Sequence, residues 1–285
     1  MSRTVTVGLD GSPESLAAAD WAAGEATALG LPLRLVQVWE PVPAPMAQAP
    51  LLGPETHQHW TDRIPREAAQ TIRRRHSGIE VSTEQVTGHP GDALIEAAKD
   101  AEFLVLGSRG LGGLAGFLAG SIGLSVVAHC ERPVVFVKKT LPPPAGPVVL
   151  GLDTDLPDAE LIEFAFEAAA RRATSLRVVH AWNPPSYIAY GTPADPVVHE
   201  TFMRSEAETL AAVLRPWRHG FPDVAVTEDV RYGNPAVQLV DAARDASLVV
   251  VGRRTRRSPL GTHVGHVTHA ALHHCAAPVA VVPHP

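Results

Sequence analysis

The chain has few of the residues that mark secreted or membrane proteins. Only two cysteines, Cys130 and Cys275, occur among its 285 residues, which argues against a disulfide framework and favours a reducing compartment. No apolar run reaches the ~18 residues that a membrane-spanning helix needs. Residues 1–4 lead directly into a strand pattern, so we expect no signal peptide. These features together predict a cytoplasmic protein whose two cysteines are buried as small apolar side chains.

An excess of positive charge is also missing. The chain carries 24 Lys and Arg against 30 Asp and Glu, a net charge of −6 with a pI of about 6.1. A general nucleic-acid binder is usually basic, so this balance argues against that class. The 45% of hydrophobic residues is instead sufficient for the buried core of a globular protein.

The familiar catalytic signatures are absent as well. The sequence has no Gly-Lys-Ser/Thr phosphate loop, no Gly-x-Ser-x-Gly elbow and no Ser/His/Asp trio at a recognisable spacing. No lysine is therefore placed for the transfer of a γ-phosphate. We expect a binding protein rather than an enzyme.

What the chain does contain is a repeat of itself. The apolar segments 5–10 and 33–39 recur 143 positions later as 148–153 and 176–182, and beyond residue 88 the offset becomes 145. The matching pairs include Asp10 and Asp153, Trp39 and Trp182, Gly88 and Gly233, Gly107 and Gly252, Gly120 and Gly265, Cys130 and Cys275, and Pro133 and Pro278. The change of offset predicts an insertion between Trp182 and Gly233. We predict two similar domains, residues 1–140 and 148–285, joined by a Pro-rich linker at 141–147.

Each repeat alternates strand and helix patterns. In the first repeat we predict strands at 4–9, 33–39, 79–87, 102–106 and 133–137, and helices at 13–29, 56–76, 92–100 and 121–129. Ser12 and Pro13 are a helix start signal, and Gly30 fits the stop. Several strands are continuous apolar runs, as a sheet covered on both faces requires. The pattern predicts an α/β fold with two tandem, doubly wound, five-stranded parallel sheets.

A glycine-rich segment follows the fourth predicted strand. The apolar run 103–106 leads into Gly107, and the spacing Gly-x2-Gly-x9-Gly-Ser ends at Gly120 and Ser121, where a helical pattern begins. Glycines before a helix N-terminus let backbone N–H groups face an anion, and a serine hydroxyl adds a donor. Ligands of doubly wound sheets sit beyond the carboxyl ends of the strands. Asp10 and Gly107, which end two strands, would then line one crevice.

These motifs resemble those of the universal stress protein family. The resemblance rests on Asp10, on Gly88-x-Pro and on the glycine spacing, and it covers essentially the whole chain as a tandem two-domain member. It implies a Rossmann-like fold of the adenine nucleotide α-hydrolase type, ATP at the crevice, and association, including a homodimer, through the last strand of each domain. The resemblance also implies a set of binding residues in the first domain: Gly8, Asp10, Val38, Gly107, Ser108, Arg109, Gly110, Gly112, Gly113, Gly120, Ser121 and Ile122.

The second domain departs from this pattern. Its corresponding residues are Gly151, Asp153, Ala181, Gly252, Arg253, Arg254, Thr255, Gly265, His266 and Val267. Thr255 replaces the second glycine, His266 replaces the serine, and four arginines replace much of the cradle. Arginine suits phosphate well, so side chains can stand in for backbone donors. Alternatively, these arginines are solvated or pair with acids across the domain interface.

Other features leave alternatives open. His263, His266, His269 and His273 share most of one helix face, which is typical of an interface or a solvated face and less so of a metal site. Trp39 and Trp182 either pack near the crevice or stack on adenine. The Pro-rich stretches 41–54 and 183–196 are lids or passive loops.

The sequence therefore predicts an ATP-binding protein with a regulatory role in stress response. Asp10 is a candidate ligand for Mg²⁺ held with the ATP phosphates, and we expect neither nucleic acid nor membrane as a partner. The alternatives are a slow ATP-hydrolysing or adenylyl-transferring enzyme on the same fold, and an interaction module with vestigial nucleotide sites.

Overall fold

A computed structural model of the protein describes residues 3–40, 54–108, 121–139, 146–183, 196–255 and 264–285. The chain divides into two compact units, Met1–Leu141 and Pro142–Pro285. The predicted α/β fold, with a parallel five-stranded sheet in each unit, is confirmed.

The first unit alternates strands and helices along the chain. Its strands are β1 Thr4–Leu9, β2 Leu33–Trp39, β3 Val81–Thr87, β4 Ala101–Ser108 and β5 Val134–Lys138. Its helices are α1 Pro13–Leu29, α2 Pro54–Arg75, α3 Pro90–Ala98 and α4 Ser121–His129. The spatial order of the strands is β3-β2-β1-β4-β5. Helix α1 packs beside α2, and α3 packs beside α4, so helices cover both faces of the sheet.

Helix α1 shows why several predicted boundaries agree with the structure. The Ser12 hydroxyl accepts a hydrogen bond from the Ser15 N–H at 3.2 Å, and Gly30 ends the helix with φ of 64°. Both ends are thus set by local chemistry. The predicted helix at 92–100 instead begins at Pro90, because proline fits the first helical turn, where its missing N–H is not needed.

The second unit repeats the architecture. Its strands are β6 Val148–Gly151, β7 Leu176–Trp182, β8 Val226–Tyr232, β9 Leu248–Arg254 and β10 Val279–His284. Its described helices are α5 Ala159–Arg171, α6 Pro196–Gly220, α7 Pro235–Ala242 and α8 His266–His274. The strand order is β10-β9-β6-β7-β8. Helix α6 has 25 residues against 22 in α2, and this difference falls in the region where the offset between the repeats changes.

The core of each unit lies on its central strands. Residues 103–106 of β4 and 248–251 of β9 are buried, as continuous apolar runs predicted. Cys130 and Cys275 are 1% and 2% exposed, so their predicted burial is confirmed. Among the described residues, no helix is both long and apolar enough to cross a membrane.

Candidate functional site

The strand order of the first unit places a switch point between β1 and β4. The chain passes from β1 to β2 on one side and from β4 to β5 on the other, and such a divergence opens a crevice at the carboxyl ends. Gly8 pairs with Leu106, so Asp10 and Ser108, each two residues further on, lie level across it. Val38, one residue before the end of β2, lies level with Asp10 on the other side of β1. Three residues predicted for the site therefore share one edge of the sheet.

Asp10 is exposed, and a tight turn holds its carboxylate in place. Its Oδ1 accepts hydrogen bonds from the Ser12 N–H at 2.9 Å and from the Ser12 hydroxyl at 2.6 Å. Gly11 between them has φ of 80°, a left-handed conformation that favours glycine. The turn leads into helix α1, whose N-terminal dipole stabilises negative charge. The carboxylate is thus positioned before any ligand arrives.

Two of the predicted glycines are closely packed, and one of them is required by that packing. A Cβ at Gly107 would lie 2.6 Å from the backbone carbon of Glu14 and 2.6 Å from the Ser15 nitrogen, in the first turn of α1. A Cβ at Gly8 would lie 2.7 Å from Leu106 Cδ2. Real Cβ contacts are not this short, so only glycine lets β4 approach the backbone of α1 at Gly107, whereas the leucine side chain at Gly8 can shift. This close packing is needed whether or not a ligand is bound.

The remaining predicted residues of the first unit differ in what the structure shows. Ser108 is buried, whereas Ser121 and Ile122 are exposed in the first turn of α4. Because α4 follows β4 in the chain, its N-terminus lies at the carboxyl end of the sheet. The other predicted residues lie outside the described ranges: Arg109, Gly110, Gly112, Gly113 and Gly120. The same holds for most of the two Pro-rich stretches.

In the second unit, an ion pair spans the equivalent crevice. Leu150 pairs with Val250, so Asp153 and Arg253, each three residues on, lie level. Arg254 Nη2 lies 2.8 Å from Asp153 Oδ2, and the two side chains are 33% and 53% exposed. An exposed pair of this kind contributes only about 0.2–1 kcal/mol to stability. Arg254 therefore pairs with an acid of its own unit, which neither sequence interpretation anticipated.

The two arginines that the structure describes here lie on different faces of the sheet. Strand β9 runs through Arg254, and successive side chains of a strand point in opposite directions. Arg253 is 5% exposed, whereas Arg254 reaches the crevice. Thr255 donates hydrogen bonds from its N–H and its hydroxyl to the His284 carbonyl, at 2.7 and 3.0 Å. The segment from Gly252 to Arg254 is consequently strand and not the loop that the glycine spacing predicted.

Helix α5 begins later than its counterpart, and His284 lies over the equivalent glycine. Helix α1 starts three residues after Asp10, whereas α5 starts six residues after Asp153, with Asp158 as its N-cap. The His284 imidazole lies over Gly252. A Cβ added at Gly252 would be 2.6 Å from His284 Nε2. Gly252 is therefore also closely packed, but against the side chains of His284 and Leu161.

His284 is a buried histidine in a charged setting. Burial is the main cause that lowers the pKa of His284 from its usual value of 6.5, and the charges of Arg254 and Arg253 act in the same direction. Asp158 opposes the shift through its negative charge. The imidazole is thus held in its neutral form beside the second crevice.

Sequence reasoning missed the threonine that joins α8 to β9. The Thr268 hydroxyl donates a 2.9 Å hydrogen bond to the Gly252 carbonyl, and Thr268 is buried. This contact ties the first turn of α8, where Gly265, His266 and Val267 lie, to the end of β9. The first repeat has Gly123 at the corresponding position, so comparison of the two repeats signals the difference.

A buried histidine on β7 was also missed. His180 Nδ1 lies 3.1 Å from the Leu152 carbonyl, and because a carbonyl only accepts, Nδ1 carries the hydrogen. Nε2 lies 3.3 Å from the Thr154 hydroxyl and 3.2 Å from Glu206 Oε2. The equivalent residue of the first unit, Gln37, is also buried. A polar residue at this position in both apolar strands is the signal that sequence reasoning passed over.

Trp182 packs inside an aromatic cluster. Its Nε1–H points at Met203 Sδ, 3.3 Å away, and its ring lies 5.6 Å from that of Phe202 and 5.7 Å from that of Tyr232. These contacts favour the packing interpretation for Trp182 over adenine stacking. Ala181, which precedes it, pairs with Arg231 near the end of β7.

Two histidines of α8 stack on each other. The rings of His269 and His273 stack at 4.1 Å, while His263 lies outside the described residues. Within the part of the chain that the structure describes, no three His, Cys, Asp or Glu side chains form a group that could hold a metal ion.

Fold and site together define a tandem, doubly wound α/β protein with a crevice at the carboxyl ends of its sheets. The model of the universal stress protein family matches residues 1–138 and 145–283. The chain belongs to the universal stress protein family, and the resemblance seen in the sequence is confirmed.

Relatives and solved structures agree with this assignment. A universal stress protein of Mycobacterium tuberculosis is 35% identical over 292 residues, covering 97% of this chain and 96% of the relative. One of Mycolicibacterium smegmatis is 32% identical over 287 residues, covering 98% and 96%. The crystal structure of a universal stress protein from Archaeoglobus fulgidus has a TM-score of 0.72 at 18% identity and covers 99% of both chains, which shows the shared fold.

Proposed function

We propose that the first unit binds an adenine nucleotide, ATP, at the crevice between β1 and β4, and that the bound state regulates a response to stress. The arrangement of Asp10, Val38 and Ser108 at one edge of three adjacent strands carries this proposal. Membership in the universal stress protein family supports the regulatory role.

The chemistry of this edge suits a nucleotide. With Oδ1 held by Ser12, the Asp10 carboxylate is oriented to accept hydrogen bonds from a ribose hydroxyl or an adenine amino group. The N-terminus of α4 supplies backbone N–H groups and the Ser121 hydroxyl, which favour a phosphate. Sugar and phosphate would therefore be held by different elements on the two sides of the switch point.

A Mg²⁺ ion bound with the phosphates would use the same carboxylate. Mg²⁺ commonly binds through one or two carboxylates together with substrate phosphates and waters. The exposed Asp10 at the crevice fits that requirement. The ion would neutralise part of the negative charge of the phosphates.

We favour binding over turnover. The residues proposed for the first site are one carboxylate, glycines, hydroxyls and Arg109, groups that position a nucleotide. A single-turnover measurement with ATP separates this proposal from slow hydrolysis or adenylyl transfer.

The test is calorimetric titration of the full chain with ATP, with and without Mg²⁺. Asp10→Asn keeps the oxygen that the turn uses but removes the charge, and we expect it to weaken binding about tenfold, a loss of about 1.4 kcal/mol. Asp153→Asn is the matched control in the second unit and should leave the first site unchanged. Equal affinities for the wild type and Asp10→Asn would refute the proposed site.

A further inference from the structure

Arg231 of the second unit lies in a complete guanidinium-binding site. Its Nε is 3.0 Å from both carboxylate oxygens of Asp229, and Nη2 is 2.9 Å from Oδ2. Nη1 donates to Asp241 Oδ2 at 3.0 Å and to the Gln238 carbonyl at 3.3 Å. Strand β8 and helix α7 thus surround one planar cation with acceptors, the geometry that arginine favours.

The first unit has the acceptors at the equivalent positions but not the arginine. At an offset of 145 residues, Glu84 corresponds to Asp229 and Glu96 to Asp241, and the Ala93 carbonyl corresponds to that of Gln238. Val86 stands where the second unit has its arginine.

The backbone around the two positions is the same. Strands β3 and β8 have seven residues each and pair with their neighbours in the same register, Leu33 with Val81 and Leu176 with Val226. Helices α3 and α7 both begin at a proline. Arg34 donates to the Ala97 carbonyl, and its equivalent Arg177 donates to that of Ala242. The two grooves therefore differ in side chains and not in fold.

Without an internal arginine, the first groove is open and acidic. Its volume is about 540 Å³, and its lining includes four carboxylates, those of Glu84, Asp92, Glu96 and Asp100, against the one guanidinium of Arg34. Arg34 meets Glu84 only at 3.6 Å. Excess carboxylate charge of this kind favours a cationic ligand.

Existing ion pairs at the groove leave room for that cation. Glu96 pairs with Lys99 at 2.6 Å, just as Asp241 pairs with Arg244 at 2.9 Å in the second unit. Asp241 nevertheless holds Arg231 as well, through its second oxygen. A carboxylate at this position can therefore accept an additional guanidinium.

We propose that the groove between β3 and α3 binds an arginine side chain of a partner protein. The second unit shows the bound geometry with its own Arg231, and the first unit offers carboxylates at the equivalent positions, from glutamate instead of aspartate, to an outside arginine. The site is open at its rim, where Glu84 and Asp92 are 48% and 86% exposed. A lone small cation at such a rim is screened by solvent, whereas a peptide adds backbone and side-chain contacts along the groove.

The test follows amide shifts of residues 81–100 by NMR in the full chain, titrated with a short peptide that contains one arginine. The matched probes replace that arginine with citrulline, a neutral side chain of the same shape, or with lysine. We expect the arginine peptide to bind about tenfold more tightly than the citrulline peptide. Equal binding of these two peptides overturns the proposal. Free arginine that binds as tightly as the peptide overturns the assignment to a protein partner.

Two variants exchange the grooves. Val86→Arg should place an internal guanidinium between Glu84 and Glu96 and abolish peptide binding, while Arg231→Ala should open a second site with shifts at residues 226–242. Should Val86→Arg not fold, Glu96→Gln tests the same acceptor. Peptide binding that survives both Val86→Arg and Glu96→Gln, or the absence of any new site in a folded Arg231→Ala variant, contradicts the proposal.

Discussion

The imidazole of His284 packs directly onto Gly252, with Nε2 2.6 Å from where a Cβ would be. The equivalent Gly107 is covered instead by the backbone of Glu14 in α1. The equivalent glycines of the two repeats are thus packed against a side chain in one unit and against a helix backbone in the other. A side chain can move to accept an added Cβ, whereas a helix backbone cannot.

We therefore expect glycine substitution to be more damaging in the first unit. Gly107→Ala should destabilise its unit by about 3 kcal/mol, at the upper end of overpacking costs, since neither α1 nor β4 can yield. Gly252→Ala should cost less, and His284→Ala should relieve part of that cost. A double-mutant cycle compares the wild type, Gly252→Ala, His284→Ala and the double variant. Their free energies of unfolding are measured in denaturant, and hydrogen exchange reports on each unit separately. Additive effects in that cycle would show that the contact is not the cause.

The pH dependence of stability should report His284. Its pKa in the folded chain lies below 6.5 because of burial, so between the two pKa values the unfolded chain binds more protons. Its contribution to stability is then complete above pH 6.5 and is lost as the pH falls from there towards the folded pKa. His284→Asn should show a smaller loss of stability between pH 7 and pH 5 than the wild type. Parallel pH profiles for the two proteins would contradict this assignment.

The Thr268 hydroxyl should contribute to the stability of the second unit. Thr268→Val keeps the shape but leaves the Gly252 carbonyl without this donor, and we expect a loss of about 1 kcal/mol. Thr209→Val is the control, because its hydroxyl donates to the Ser205 carbonyl at 2.9 Å in an exposed position. The free energy of unfolding of each variant is measured by denaturant titration. A loss in Thr209→Val as large as that in Thr268→Val would show that burial of the hydroxyl does not set its contribution.

Anion binding by the second unit should depend strongly on salt. The side chain of Arg254 is a described cationic donor at its crevice. Screening shortens the Debye length from about 8 Å at 0.15 M to 3 Å at 1 M. In an Asp10→Asn background, ATP affinity should fall with salt, and Arg254→Gln should flatten that dependence. Arg244→Gln is the control, since this arginine pairs with Asp241 on α7. An unchanged salt dependence in Arg254→Gln would exclude a charge-based second site.

Much of the fold was predictable because it depends on local chemistry. Apolar runs indicated the buried strands, and helix α1 was placed correctly because Ser12, Pro13 and Gly30 mark its ends. The duplication indicated two similar units, and Asp10 was placed at the crevice because it follows an apolar strand. Gly107 and Gly252 were predicted as parts of an anion-binding segment, whereas the structure shows that they are closely packed.

By itself, the sequence determined the order of the elements, the repeat and the edge of the sheet where we propose a site, because these follow from residue periodicity and capping. Only the tertiary structure decided that Arg253 is buried while Arg254 meets Asp153, and that His284 packs over Gly252. Such contacts join residues about 30 to 100 positions apart. They depend on strand register and on where α5 begins, which periodicity does not specify.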